Sequence, residues 1–492
     1  MMVFDWFQKW FEYAPRKVAI VENEKEATYA ELNEIASRFS GLLHQNHGLE
    51  KGDRIAVLAS FSIDLIALFG AAQKAGFILV PINTRLTPRE VNYQIQDAGA
   101  KLVIADREFS EKLSESENSC IGFDDLSGNA EAYHNEIEEK DPIFILYTSG
   151  TTGFPKGAIY THGMLFWNSV NTALRLDLTS NDITLNCMPA FHTGGWNVLI
   201  TPLLHHGGTI WLQNEFVAEE VMANLEKSGS TVFMAVPTML KMMVDTEAFK
   251  TADLSKIRYF IVGGEALPIP MIELWSEKDI PIRQGYGLTE VGPNVTSLHQ
   301  SDTIRKRGSI GFFNFYVSGK IVNDSGTECA PDEVGELWLG GPNVTPGYWN
   351  NEEANLKAFS DGWFKTGDLV RKDREGYIYV AGRKKEMYIS GGENVYPREV
   401  EKVLQDHPAV AEVAVIGVPD EKWGESGAGF IVMKSNESLS EHELRNYCLK
   451  NLAKFKIPKY FFFENQLPIN STGKIDKQKL SKSVKLQKPT KS

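Results

Sequence analysis

The chain is most constrained by the junction at residues 143–157. An apolar run, Ile143-Phe144-Ile145-Leu146, is short enough for a buried strand and opens straight into Tyr147-Thr148-Ser149-Gly150-Thr151-Thr152-Gly153-Phe154-Pro155-Lys156-Gly157. Four hydroxyl side chains, three glycines and one lysine follow a strand end. Glycines let main-chain N–H groups converge on an anion, hydroxyls add donors, and Lys156 adds a point charge suited to phosphate oxygens. The stretch predicts a loop wrapped around a polyphosphate. It is not the Walker pattern, because Pro155 precedes Lys156 and Gly157 follows it. The competing reading is a polar, glycine-rich surface loop.

A loop of this kind needs strands that end at a ligand, and the flanking sequence supplies them. Arg54–Leu58 and Lys101–Ala105 read as strands, while Thr28-Tyr29-Ala30-Glu31 is a capping box opening a helix to about Leu43. Thr87-Pro88-Arg89-Glu90 repeats the device with proline at the first helical position. After a loop-rich connector at 107–141, strand signals resume at Ile183–Cys187, Thr209–Leu212, Thr231–Ala235 and Tyr259–Val262, with helical segments between them. This α/β alternation predicts helix-covered sheets with ligands near the strand ends.

Past Gly308 the texture shifts to short strands, Lys320–Val322, Gly335–Leu339 and Tyr377–Val380. The charged turn Gly382-Arg383-Lys384-Lys385-Glu386 then precedes a block with helix, strand, helix and strand at Pro397–Gln405, Val410–Val418, Ser440–Leu452 and Tyr460–Phe463. That block reads as a compact α+β domain on a hinge, and the Lys-rich end from Ser481 reads as a frayed tail.

A chain of 492 residues exceeds one ordinary core and implies two or three domains. A net charge of −13 argues against nucleic acid or an anionic membrane as the main partner. Four scattered cysteines form no C-x-x-C pair, which suits a reducing cytoplasm better than a disulfide framework or a zinc site. No signal-peptide core opens the chain. The most apolar stretch, Ile63 to Ile82, is broken by Asp64, Gln73 and Lys74 and predicts a buried helix and strand, not a membrane span.

Other segments carry polar groups that a core would not want. Gly263-Gly264-Glu265-Ala266 ends an apolar strand and permits flat approach of a ring. Gln284-Gly285-Tyr286-Gly287-Leu288-Thr289-Glu290 follows the Pro281-Ile282 strand, with an aromatic to stack on a base and hard oxygens for Mg²⁺. Asp368, in Thr366-Gly367-Asp368, is either a turn residue or a ribose-diol acceptor. Lys474, in Ser471-Thr472-Gly473-Lys474, is either a solvated turn lysine or one delivered to a nucleotide.

In this order, from about Tyr29 to Lys474, these segments resemble the adenylate-forming (AMP-binding) enzymes of the acyl-CoA synthetase or fatty-acid–CoA ligase type. The resemblance implies a large N-terminal domain at 1–384, made of two helix-covered sheets and a small β-barrel-like subdomain at about 308–382. It also implies a mobile α+β C-terminal domain at 385–480 and a flexible basic tail at 481–492. By position, Thr148, Ser149, Gly150, Thr151, Thr152, Gly153 and Lys156 match the pyrophosphate loop, Gly264, Glu265 and Ala266 the adenine-facing segment, and Tyr286 with Gly287 the stacking segment. Thr289 and Glu290 match the α-phosphate and magnesium contacts, Asp368 and Arg383 the ribose binders, and Lys385 the hinge. Lys474 matches the lysine bridging the acyl carboxylate and α-phosphate, and Gly391 and Gly392 the segment lining the pantetheine tunnel. ATP, Mg²⁺ and CoA are the implied cofactors, a small carboxylic acid is the substrate, and a homodimer is left open.

The implied reaction joins a carboxylate to ATP, giving acyl-AMP and pyrophosphate, and then transfers the acyl group to a thiol. His192 stands where amino-acid-activating relatives carry an aspartate, which disfavours an α-amino acid substrate. His192, Gly195, Trp196 and Gly285 are the expected acyl pocket, the glycines supplying room for an aliphatic chain unless they serve main-chain packing. A medium- or long-chain fatty acid is expected, with an aryl acid, or loading of a carrier protein, as the alternative. One departure stands out: Gly308-Ser309-Ile310-Gly311 is followed by Phe312-Phe313-Asn314-Phe315-Tyr316 where a proline-containing turn is usual.

Overall fold

Both capping boxes form. Thr28 accepts from the Glu31 N–H and Glu31 reaches back to Thr28, starting a helix at Tyr29–His47, and Thr87 with Glu90 does the same for Pro88–Ala98. Glycines in the left-handed region, Gly48 and Gly99, end them. A computed structural model describes residues 4–487 apart from 149–154, 265–266, 391–392, 421–422, 436, 438 and 471–472.

The chain divides into two compact units, one of residues 1–319 and 339–364, the other of 320–338 and 365–492. The turn-rich segment past Gly308 is shared between them, since the strands Gly335–Gly340 and Trp363–Lys372 each run through the division.

The first unit holds two sheets. Nine strands lie in the order Phe312–Phe313, Gly292–Ser297, Ile282–Leu288, Tyr259–Val262, Val232–Ala235, Ile183–Asn186, Thr209–Leu212, Val18–Glu22 and Lys25–Thr28. From Ile282–Leu288 to Val18–Glu22 the pairing is parallel. Six more strands form the order Cys120–Ile121, Leu102–Ala105, Arg54–Leu58, Ile78–Pro81, Pro142–Thr148 and Lys156–Thr161, the last pair antiparallel. Side chains on alternate strand positions enter opposite cores. Tyr259 and Ile261 join a core shared with Ile55, Val57 and Phe144 of the other sheet, while Phe260 and Val262 pack with Trp275, Leu225 and Leu240 of the outer helices. Period-two burial on both faces is what an interior parallel sheet requires.

The stretch Ile63 to Ile82 is a helix, Ile63–Ala75, a turn at Gly76 and a strand, Ile78–Pro81. Its Lys74 is fully buried, with the ammonium 2.9 Å from Asp5 Oδ2 and 2.7 Å from Asn33 Oδ1. Among the described residues no helix is long and apolar enough to cross a membrane.

The second unit is α+β. A long antiparallel hairpin, Val410–Asp420 with Gly424–Met433, carries Tyr460–Phe463 in parallel and Tyr388–Ser390 beside it. One face packs on the helices Pro397–Gln405 and Glu441–Asn451 through Val400, Leu404, Leu444 and Cys448.

Two expectations are corrected. The end from Ser481 is not frayed through Gln487: Lys477–Gln487 is a helix, and Leu480 and Val484 cover Ala414, Ile416 and Phe430 on the second face of the hairpin. Two apolar residues one turn apart suffice to dock a short Lys-rich helix. The segment Gln284–Leu288 does not follow a strand at Pro281-Ile282 but continues it, the strand running Ile282–Leu288, because Gly292–Ser297 returns antiparallel beside it.

Candidate active site

The hydroxyl-rich segment lies in sequence between two antiparallel strands, Pro142–Thr148 and Lys156–Thr161, which pair Tyr147 with Gly157 and Thr148 with Lys156. Thr148 Oγ1 donates to the Lys156 carbonyl at 3.4 Å, and Tyr147 donates to Asp97 at 2.6 Å. Burial and the Asp97 carboxylate hold the Tyr147 phenol far above its ordinary range, so it stays a donor. Ser149, Gly150, Thr151, Thr152 and Gly153 lie outside the described residues.

At the carboxyl ends of two parallel strands of the nine-stranded sheet the main chain carries glycines. Gly264 has φ +84°, and a Cβ built there meets nothing within 4 Å among the described residues. Among the described residues a Cβ at Gly263 meets only the Gly285 carbonyl, at 3.5 Å, and one at Gly285 only the Thr296 carbonyl, at 3.3 Å. Among the described residues the strand end at Gly263 and Gly264 therefore lets a flat ring approach its backbone. Glu265 and Ala266 lie outside the described residues, while Tyr286 is half-buried on the Ile282–Leu288 strand beside this opening.

Thr289 and Glu290 form a single 3₁₀ turn at the end of that strand. Glu290 is buried, its carbonyl accepts from Thr345 N–H at 2.7 Å, and its Oε1 accepts from Tyr348 Oη at 2.9 Å. The Tyr348 ring in turn lies under the Lys156 ammonium, 5.3 Å from centroid to Nζ. Asn343 Nδ2 donates to the Val291 carbonyl at 2.6 Å. The strap 343–348 thus ties the turn bearing Glu290 to the hairpin bearing Lys156. Nothing in the sequence reading pointed to Tyr348: it sits in the Pro- and Gly-rich run Pro342–Trp349, which carries no periodic signal.

His192 caps a short helical turn, Thr193–Gly195, that runs on into a π-helical segment at Trp196–Ile200, and its ring centroid is 4.6 Å from that of Phe191. For three residues the structure supplies a reason other than ligand contact. Trp196 is a core residue, fully buried among Phe61, Phe69 and Phe144, with its indole N–H on the Ala190 carbonyl at 2.7 Å. The space beside it, lined by Val57, Leu79, Ile82 and Ala190, is too small for a water. Gly195 is glycine because a Cβ would strike the Pro189 carbonyl, and Gly287 because one would strike that of Pro293. Close main-chain approach, not room for substrate, sets both. At Gly285 the Thr296 carbonyl lies 3.3 Å from such a Cβ, a tight contact that a shift of a few tenths of an ångström would relieve.

In the second unit Asp368 and Arg383 face each other across antiparallel strands, Nε to Oδ1 at 2.6 Å. Asp368 is in mid-strand, Trp363–Lys372, and buried, so it is no turn residue. Lys385 sits in a tight turn in which the Glu386 and Met387 N–H groups donate to the Arg383 carbonyl. Lys474 is exposed on a hairpin turn closed by Asn470 N–H to the Lys474 carbonyl at 2.8 Å, with Gly473 at φ +81°. Gly391 and Gly392 lie outside the described residues.

Among the described residues no three His, Cys, Asp or Glu side chains cluster as a metal cage. A lone buried carboxylate beside a lysine-bearing phosphate loop fits magnesium that travels with a nucleotide, since that ion takes one or two carboxylates and completes its shell with phosphate oxygens and water. The open glycine floor fits the nucleotide's base.

The sequence model of the family described as AMP-binding enzyme matches residues 7–349. This chain is an AMP-binding enzyme. The model for the AMP-binding enzyme C-terminal domain matches residues 399–474. This AMP-binding enzyme is 37% identical over 478 residues to a long-chain-fatty-acid–CoA ligase, FadD13, of Mycobacterium tuberculosis, covering 94% of each chain. It is 35% identical over 471 residues to a feruloyl-CoA synthase of Amycolatopsis sp, covering 94% of this chain and 95% of the other. The solved structure of O-succinylbenzoate coenzyme A synthetase (MenE) from Bacillus subtilis in complex with ATP and a magnesium ion superposes with a TM-score of 0.88 at 34% identity, covering 98% of this chain and 99% of the other.

Proposed function

We propose that this enzyme, an AMP-forming acid–CoA ligase, takes a medium- or long-chain fatty acid as its substrate. A carboxylate attacks the α-phosphate of ATP to give acyl-AMP and pyrophosphate, and the CoA thiol then displaces AMP to give the thioester. The carboxylate is its own nucleophile, so the first step needs charge neutralisation and alignment, not a general base.

The residues divide that work. Thr148, Lys156 and the hydroxyls between them hold the β- and γ-phosphates, the bare strand ends at Gly263 and Gly264 take adenine, and Tyr286 stacks on it. Asp368, oriented by Arg383, accepts from the ribose diol. Thr289 contacts the α-phosphate, and Glu290 is the carboxylate for magnesium, which when bound offsets the charge of the phosphate oxygens. Lys474 bridges the entering carboxylate and the α-phosphate and must leave before the thiol attacks. That requirement gives a turn at Lys385 its purpose.

The aliphatic substrate rests on one observation. A Cβ at Gly194 would meet only the Met234 methyl, at 3.5 Å, among the described residues. A thioether side chain beside bare backbone adapts to a flexible chain. The packed rings of Phe191 and His192 favour the second reading, a flat aryl acid. The relatives do not rank the two, since a fatty-acid ligase and a feruloyl-CoA synthase are 37% and 35% identical. Release of AMP measured with octanoate, palmitate, benzoate and a cinnamate decides it: the fatty acids should turn over fastest, and faster turnover of the aryl acids would replace this reading with the second.

A further inference from the structure

Tyr348 belongs to none of the segments that mark the nucleotide site in the sequence, yet it touches two of them. Its hydroxyl donates to Glu290 Oε1 at 2.9 Å across 58 residues of chain, and its ring carries the Lys156 ammonium on its face. Its own position is over-determined. The backbone bridges to Ala158, its N–H donates to Asn355 Oδ1 at 2.7 Å, and the flanking Trp349 N–H donates to the Gly157 carbonyl at 2.7 Å. Thr345 Oγ1 donates to the Ile159 carbonyl at 2.7 Å from the same strap. A side chain held at both ends of its residue holds whatever it touches.

We propose that Tyr348 is a positioning residue for nucleotide activation, its hydroxyl fixing the rotation of the Glu290 carboxylate and its ring seating Lys156, so that the metal ligand and the phosphate-loop lysine are set as one unit. This rests on the roles given above to Glu290 and Lys156. A hydrogen bond onto one carboxylate oxygen sets the plane of the group and hence the direction in which it meets a cation. The Lys156 ammonium, 5.3 Å from the ring centroid, is held on the ring face by the attraction of a cation to an aromatic ring.

Tyr348→Phe keeps the ring and removes the hydroxyl, while Tyr348→Leu removes both. ATP binding is measured by titration calorimetry with the full chain, once with Mg²⁺ and once with a chelator, alongside the melting temperature. Tyr348→Phe should weaken Mg²⁺-ATP binding about tenfold, the size typical for loss of a partner that orients a metal ligand, and leave metal-free ATP binding within about twofold. Tyr348→Leu should weaken metal-free binding as well, through Lys156. Glu290→Gln should abolish the Mg²⁺ dependence, and adding Tyr348→Phe to it should change nothing further. Parental Mg²⁺-ATP binding by Tyr348→Phe, or equal losses with and without metal, overturns the hydroxyl's role while leaving Glu290 as ligand. Identical behaviour of the Phe and Leu variants overturns the ring's role. Retained Mg²⁺ dependence in Glu290→Gln removes the reading of Glu290 itself, and that of Tyr348 with it.

Discussion

Four glycines near the site look alike in sequence and should respond differently to a single methyl group. At Gly285 an added Cβ meets only the Thr296 carbonyl, at 3.3 Å, among the described residues. That contact asks the neighbouring strand to yield a few tenths of an ångström, while the change from glycine to alanine in a strand recovers about 0.5–1 kcal/mol of chain entropy. The two nearly offset, so Gly285→Ala should melt within about 1 kcal/mol of the parent. At Gly195 and Gly287 the Cβ runs into the main-chain carbonyls of Pro189 and Pro293, which no rotamer change relieves. Each alanine there should destabilise the first unit by about 3 kcal/mol, the upper end of ordinary overpacking. The functional effect should run the other way. If Gly285 lines the acyl space, a methyl group there should lower kcat/KM for the acid by about 10- to 200-fold, the worth of one methylene in an apolar pocket, and should spare ATP. Gly263→Ala, with the Gly285 carbonyl at 3.5 Å, should resemble Gly285→Ala in stability. Thermal melts together with pyrophosphate release across acids of increasing length report both quantities. If Gly285→Ala proves as unstable as Gly195→Ala, or folds with unchanged kcat/KM for every acid, the open floor is not where the acid lies.

Lys474→Ala should slow acyl-AMP formation by at least about 10²-fold, as for loss of one oriented charge-stabilising donor, while thiolysis of supplied acyl-AMP survives; equal loss in both half-reactions refutes the role. His162 is fully buried and its imidazole is pushed down from 6.5 to about 3 by burial. Its folded value lies below its unfolded one, so its contribution to stability is whole above pH 6.5 and is lost as pH falls toward 3, at about 1.4 kcal/mol per pH unit. His162→Leu should flatten urea-unfolding stability between pH 6.5 and 5 by that slope, and an unchanged slope refutes it. Leu480→Ala should cost the second unit about 2–3 kcal/mol, read as faster amide exchange along Val410–Asp420, because Leu480 closes the face formed by Ala414, Ile416 and Phe430. Unchanged exchange would mean the terminal helix is not docked in solution. Asp5→Ala should destabilise the first unit by about 3 kcal/mol by stranding the Lys74 ammonium, whose side chain has no solvent exposure, whereas Lys74→Met should cost less because Asp5 keeps 24% exposure; equal costs in urea titration refute this.

What the sequence made legible follows from the range of the forces involved. Capping boxes at Thr28 and Thr87 are set by residues three apart, so a short window contains the whole interaction. Strands such as Tyr259–Val262, apolar on both faces, announce burial whatever surrounds them. The terminal helix was misread because its Lys-rich composition dominates a local window, while the hairpin face that Leu480 and Val484 cover begins more than sixty positions upstream. Glycine was the weakest guide for the same reason. A missing side chain is identical in sequence whether a ligand or a carbonyl occupies its place, and only the partner strand distinguishes Gly285 from Gly287.

Tyr348 extends the point to chemistry. Residues that meet a nucleotide cluster in short polar motifs, because several donors must converge on one phosphate. Residues that hold those donors in place are chosen by the path of the chain between distant segments, and a phenol 58 positions from its carboxylate leaves no local mark. The strap 343–348 carries a proline and a glycine because it must run beside Lys156–Thr161 and still reach the turn at Glu290, a geometry that regular structure does not offer. Its rigidity is what the roles proposed for Glu290 and Lys156 require: a triphosphate and its metal are aligned without reorganisation only if the carboxylate and the lysine that meet them are already fixed.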